Sequence, residues 1–275
     1  MTQRSILITG CSSGIGLASA RIMKARGWRV LATARRPEDL AMLSREVGVE
    51  ALPLELADSA SIAACAAEAL HRTGGDLYAL FNNAAYGQLG AVEDLSTEFL
   101  RRQLEVNVLG THELTRTIVA AMRKQGEGRI VMCSSVLGLA AMPHRGAYCA
   151  SKFALEALSD SLRLELRGTG LHVSIIEPGP IRTRFVEHAL ANFKTSIDIE
   201  ASAHRETYRA RLAVLEAGGQ GRFKLEPEAV ARKLVHAVES RSPKARYYVT
   251  VPTYLAAAAK RLLPLSVQDW LAARQ

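Results

Sequence analysis

Short apolar runs alternate along the chain with longer stretches in which apolar residues recur every three or four positions. Ser5–Thr9, Arg29–Ala34, Val49–Leu54, Leu77–Asn82, Arg129–Ser134 and His172–Glu177 are short runs, mostly of Val, Ile, Leu and Ala, and predict strands. The helical spacing between them covers Ile15–Arg26, Pro37–Glu46, Ser59–His71, Ser96–Lys124 and Gly146–Arg167. Gly27 falls where a helix C-terminal cap belongs, and Pro37 in a first turn. Arg246–Val251 predicts a seventh strand. Strands apolar on both faces and separated by helices form βαβ units of a parallel sheet. Right-handed crossovers then put helices on both sides of it. The predicted fold class is therefore α/β, a doubly wound parallel sheet of about seven strands. Such a sheet binds ligands at the carboxyl ends of its strands.

Thr183–Lys224 breaks the rhythm with helix-like pieces and Gly218-Gly219-Gln220-Gly221. It reads as an insertion covering a site (about 183–224) within one domain, 1–275, since no Pro/Gly/Ser-rich linker divides the chain. The tail, about Thr253–Gln275, mixes apolar residues with Lys260, Arg261 and Trp270, and Pro264 breaks it. It suits packing on a partner subunit, a cover for the site, or a weak peripheral membrane contact.

Composition narrows the function classes. Of 275 residues, 48% are hydrophobic, enough for a large core. The formal charge of +8 comes from scattered residues, and no basic run exceeds two. Without a basic-aromatic stripe, nucleic-acid binding is not expected. An anionic small molecule accounts for the charge more simply. Cys11, Cys65, Cys133 and Cys149 have neither C-x-x-C spacing nor histidines at metal-ligand spacing. They read as buried thiols in a reducing compartment, with no metal site. No leader pattern follows Met1, so a cytoplasmic location is expected.

The chemistry gathers at strand ends. The first strand runs into Thr9-Gly10-Cys11-Ser12-Ser13-Gly14-Ile15-Gly16. Glycines let a backbone turn tightly against a diphosphate, and the following helix aims free N–H groups at that anion. The G-x-x-x-G-x-G spacing differs from the commonest dinucleotide fingerprint but serves the same end. After the second strand, where an acid would bind the ribose hydroxyls of NAD, stand Arg35 and Arg36. Their planar donor forks suit a 2′-phosphate, so NADP(H) is the expected cofactor, with Ser12 as a further donor. Glu55-Leu56 and Asn82-Asn83-Ala84-Ala85, after the third and fourth strands, suit the adenine and ribose edges.

Tyr148 and Lys152 stand four apart on a helix and share a face. Alone the pair is common on ordinary helices. A free phenol, with a pKa of about 10, is a poor acid–base catalyst at neutral pH. A neighbouring ammonium lowers that value, which lets the phenol pass a proton to or from an oxygen. Ser134-Ser135 ends a strand thirteen residues before the tyrosine. Asn107 interrupts the helix Ser96–Lys124, either tolerated or binding a backbone group or water at a distortion.

Thr9–Gly16, Asn82–Ala84, Asn107, Ser135, Tyr148-x-x-x-Lys152 and Pro178-Gly179, in this order, resemble the short-chain dehydrogenases/reductases. The chain is similar to their ordinary, non-extended branch, which includes hydroxysteroid and retinol dehydrogenases and aldehyde reductases. The resemblance covers about Ser5–Thr183. It implies a Rossmann-type fold with Tyr148 as general acid/base and Lys152 lowering its pKa and binding the nicotinamide ribose. Ser135 rather than Ser134 would hold the substrate oxygen, and Asn107 a water in a proton relay to Lys152. The cofactor would meet Gly10, Ser12, Ser13, Gly14, Ile15, Gly16, Arg35, Arg36, Glu55, Leu56, Asn82, Ala84, Pro178, Gly179, Ile181 and Thr183, besides Tyr148 and Lys152. Homodimer or homotetramer contacts would run through the two long helices. Two residues depart from the pattern, Ala85 for a usual glycine and Glu55 for a usual aspartate. The activity implied is NADPH-dependent reduction of a lipophilic ketone or aldehyde. The alternatives are NADP+-dependent oxidation of a steroid- or retinol-like alcohol, and a non-catalytic NADP(H) sensor.

Overall fold

The computed structural model describes residues 3–216 and 223–273. In chain order the elements are β1 (Ser5–Ile8), α1 (Gly14–Ala25), β2 (Arg29–Ala34), α2 (Pro37–Met42), β3 (Glu50–Pro53), α3 (Ser59–Arg72), β4 (Ala79–Asn82), α4 (Thr97–Leu104) and α5 (Thr111–Gln125). There follow β5 (Gly128–Cys133), α6 (Gly146–Glu165), β6 (Leu171–Glu177), α7 (Phe185–Ser196), α8 (Arg205–Glu216), α9 (Glu228–Glu239), β7 (Arg246–Tyr248), α10 (Val251–Leu262) and α11 (Leu265–Ala272). The seven strands form one parallel sheet in the order β3-β2-β1-β4-β5-β6-β7. The strand order reverses at β1 and β4, which opens a crevice at their carboxyl ends.

Side-chain alternation splits β1 between two core layers. Ile6 and Ile8 pack with Met23 of α1 and Leu234 and Val238 of α9. Leu7 packs on the other face with Ile62 of α3 and Leu114 and Ile118 of α5. Burial on both faces is why β1 reads as an unbroken apolar run.

The structure corrects the sequence reading at four places. Ser96–Lys124 is not one helix: a π-helical turn, Glu105–Gly110, separates α4 from α5. A second π turn, Leu43–Val47, follows α2 and ends at Gly48 with φ 69°. The seventh strand stops at Tyr248, and Val251 already belongs to α10. Helix α9 was unread, although Val230, Ala231, Leu234, Ala237 and Val238 carry its buried face at helical spacing.

The insertion supplies α7 and α8, while Gly218–Gly221 lie outside the described residues. In the tail, α10 buries Thr253 and Ala257 and sets the Lys260 ammonium 4.5 Å from the Phe153 ring centre on α6. Helix α11 buries no residue. Among the described residues, no helix is long and apolar enough to cross a membrane.

Candidate active site

The glycine loop leaves β1 at the crevice. Gly10 (φ 71°) and Gly14 (φ 56°) adopt left-handed conformations that side chains resist. A Cβ on Gly10 would sit 2.8 Å from the Cα of Ala84, and one on Gly14 2.9 Å from Thr183 Cγ2. One on Gly16 would lie 2.1 Å from the carbonyl oxygen of Gly10. The fold thus brings the loop against Ala84 and Thr183, from the β4 and β6 ends of the crevice. Ser13 caps α1 without a side-chain hydrogen bond, and no acid stands in the first turn. Those free N–H groups and the glycine cradle fit the diphosphate of a dinucleotide.

Residues the sequence reading passed over hold this loop. Thr9 Oγ1 accepts from the main-chain N–H groups of Asn83 and Ala84, both at 2.9 Å. Asn83 Nδ2 donates to the carbonyls of Thr9 (2.9 Å) and Gly10 (3.2 Å). Thr33 Oγ1 accepts from Gly10 N–H at 3.2 Å. The available signal was their place just past a strand end, Thr9 before Gly10 and Asn83 before Ala84. By contrast, the Asn82 amide donates to Thr115 Oγ1 and Met132 Sδ, and the Leu56 side chain lies in the core. Only their backbones are left to meet a ligand. Ala85 takes no left-handed φ, so its methyl costs no backbone strain.

At the far end of the crevice Arg35 is 71% exposed, its Nη1 3.7 Å from Glu55 Oε2. Arg36 is already engaged: its Nε donates to Asp39 at 2.9 Å and lies 3.3 Å from Glu38. Of the two arginines, Arg35 is the one whose fork remains available.

Residues Pro178–Thr183 follow β6 at the same edge of the sheet. The carbonyl of Pro178 accepts from Val136 N–H, Ile181 bridges to Leu225, and Thr183 Oγ1 accepts from Phe185 N–H. A Cβ on Gly179 would lie 2.0 Å from Thr250 Oγ1, so the first turn of α10 closes directly under this loop.

Ser135, Tyr148 and Lys152 converge beyond the end of β5. Ser135 lies near enough to the Tyr148 hydroxyl to draw its pKa down. Lys152, 2% exposed, donates to the Cys133 carbonyl at 2.8 Å, and its ammonium is 5.6 Å from the Tyr148 ring centre. Ser134 Oγ is instead buried without a partner, away from Tyr148 on the Gly138–Glu156 side. Burial pushes the Tyr148 phenol above its ordinary range, and Ser135 and Arg145 only partly oppose this. Burial likewise holds the Lys152 ammonium below its usual range. Burial is the largest influence on the phenol.

Asn107 lies inside the π turn and is 2% exposed. Its Oδ1 accepts from Tyr86 N–H at 2.7 Å, and its Nδ2 donates to the Tyr86 carbonyl and to Ser151 Oγ, both at 3.0 Å. Ser151 Oγ in turn donates to the Tyr148 carbonyl at 2.8 Å. Asn107 therefore ties the β4 loop to the helix carrying Tyr148. With its amide committed, a relay water would rest on its main chain.

Over its described part, this geometry has close counterparts. Residues 4–194 match the short chain dehydrogenase family. The chain is 44% identical to the uncharacterized oxidoreductase YbbO of Escherichia coli (strain K12) over 97% of its length and 93% of that protein's. A short chain dehydrogenase/reductase from Burkholderia phymatum, solved with NAD, superimposes with a TM-score of 0.81 at 26% identity, covering 98% of this chain and 95% of that one. An actinorhodin polyketide ketoreductase variant, solved with NADPH, gives 0.74 at 29% identity over 90% and 95%. The chain belongs to the short-chain dehydrogenase/reductase family. It is an oxidoreductase of that family with its NAD(P)-binding fold.

Next to Lys152 on α6 this dehydrogenase/reductase carries a largely buried charge cluster that the sequence reading missed. Arg246 of β7 bonds Glu156, Glu177 (2.6 Å) and Asp160 (2.5 Å). Glu156 is one helical turn beyond Lys152. Three carboxylates thus share one guanidinium, and Glu177 is 0% exposed. Burial, reinforced by the Glu156 charge and only partly opposed by Arg246, pushes the Glu177 carboxyl up to about 8. A carboxyl with a higher pKa folded than unfolded stabilises the fold below its ordinary value of 4.5. That contribution is lost as pH climbs through about 8. Glu177→Gln mimics the protonated form, so its Tm should gain on the wild type steadily as pH rises across this window. A pH-independent difference in thermal melts would refute the assignment.

Proposed function

We propose that this enzyme is an NADP(H)-dependent reductase of ketones or aldehydes, most of them lipophilic. The observation that carries the proposal is the convergence of Ser135, Tyr148 and Lys152 at the end of β5, beside the glycine cradle. Ser135 and Tyr148 are placed to hold one carbonyl oxygen between them. The bound nicotinamide would supply the hydride. Tyr148 gives its proton to the oxygen as negative charge develops there. Lys152 holds the ribose side and returns a proton to the phenol. Asn107, through Ser151, fixes the turn of α6 on which both depend.

The same groups run the reverse oxidation. An intact Ser/Tyr/Lys/Asn set argues against a purely sensing role.

The preference for NADP(H) rests on Arg35 and on the absence of an acid at the end of β2. A guanidinium–phosphate contact is a charge-assisted hydrogen bond of about 1.5–3 kcal/mol. Arg35→Ala should therefore raise KM for NADPH by about ten- to hundredfold, far more than KM for NADH, in cofactor titrations of initial rate. A wild type that prefers NADH would overturn the 2′-phosphate reading.

The assembly we favour is a homodimer or homotetramer in the cytoplasm. Leu109 in the π turn and Leu158 and Leu164 on α6 are exposed apolar residues on the long helices that such contacts would cover. A weaker membrane contact would use α11, where Leu265 and Leu271 are exposed.

A further inference from the structure

A cleft at Arg145, one helical turn before Tyr148, is lined by Leu89, Leu190, Phe193 and Leu212 together with His144, Arg145 and Arg211, and is partly open to solvent. Arg145 precedes Tyr148 by three residues, one helical turn, and its charge acts on the phenol.

Three polar groups in this cleft lack protein partners. The half-buried Arg145 guanidinium makes no hydrogen bond or ion pair among the described residues, and neither does that of Arg211 on α8. His144 Nδ1 is buried and unpaired. His144 is also held at φ 60°, a conformation non-glycine residues rarely take, with its ring edge-on to Tyr208 at 5.4 Å.

Neighbouring charges do not neutralise the arginines. Asp94 accepts from Tyr208 and Ser202, and Glu93 pairs with His204. Elsewhere Arg26, Arg29, Arg209 and Arg246 all have carboxylate partners. Here two cations instead repel each other, burial and Arg211 together holding the Arg145 pKa below its ordinary range. Leaving a partly desolvated charge without a counterion is costly, and an anionic ligand offsets that cost.

We infer that the substrate is an amphipathic carbonyl compound bearing a carboxylate. Arg145 and Arg211 hold the carboxylate, and the apolar chain lies on Leu190, Phe193 and Leu212. The carbonyl reaches Ser135 and Tyr148. This inference rests on the reductase reading and names its substrate class.

The test compares medium-chain aliphatic ω-oxo acids with their methyl esters, using NADPH. The wild type should favour acid over ester in kcat/KM by about ten- to hundredfold, the worth of charge-assisted hydrogen bonds. Arg211→Gln should bring that ratio close to one, and Arg211→Lys should keep part of it, because ammonium retains charge but not the planar fork. Arg145 begins α6, where substitution disturbs the helix, so Arg211 carries the test. Reduction of both compounds with no preference for the acid would overturn the inference and leave the reductase reading standing. If neither compound is reduced, the reductase reading falls, and calorimetry on the NADP+-loaded protein decides the inference. Decanoate binding at least tenfold tighter than 1-decanol, and lost in Arg211→Gln, supports a carboxylate site. Equal or absent binding overturns it.

Discussion

Tyr148→Phe is expected to lower kcat for carbonyl reduction by about a hundred- to ten-thousandfold, the range spanned by loss of a positioned acid. The ring keeps its packing against Phe185, whose centre lies 5.4 Å away. Only the hydroxyl beside Ser135 is removed. Folding and NADPH binding should therefore survive, which separates a lost proton donor from a damaged fold. The pH profile gives an independent reading. Because burial raises the phenol, wild-type reduction should hold through neutral pH and decline only on the alkaline side, as the donor ionises. The oxidative direction needs the phenolate and should rise over the same range. A Phe variant that still turns over at the wild-type rate, with the same profile, would remove Tyr148 from the mechanism.

The layout of strands and helices was legible because the central strands are buried on both faces and most of the flanking helices on one. Those two burial patterns are local and periodic. The same locality explains the positions of Gly10–Gly16, Ser135, Tyr148 and Lys152, each at a strand end or one helical turn from its partner. What escaped the reading depends on distant contacts. Glu156, Glu177 and Arg246 look like ordinary surface charges until β6, β7 and α6 come together. Asn82 and Asn83 are neighbours of the same type, yet opposite faces of the chain send one into the sheet and the other to the glycine loop. The split of Ser96–Lys124 has a similar origin. Asn107 gives a hint, but the reason for the π turn is what Gly110 touches across the fold.

Gly110→Ala should therefore be one of the most damaging single-methyl changes in this protein. Gly110 ends the π turn, and a Cβ there would stand 1.9 Å from the main-chain oxygen of Leu56 and 2.8 Å from its carbonyl carbon. Neither is a flexible side-chain end, so α5 and the loop after β3 must separate. Overpacking of this kind costs about 1–3 kcal/mol or more. For a chain of this size that corresponds to a fall in Tm of roughly 3–10 °C. The displacement also reaches function from both sides. Leu56 belongs to the loop after β3, which on the proposed reading meets the adenine, and Asn107 sits three residues before Gly110 in the same turn. A shift of about 1 Å in catalytic positioning can cost up to about a hundredfold in rate. The variant should thus lose stability, raise KM for NADPH and lower kcat together, where Tyr148→Phe lowers kcat alone. An alanine variant with wild-type Tm and cofactor affinity would mean that α5 does not approach the β3 loop this closely, and the structural account of the π turn would fail with it.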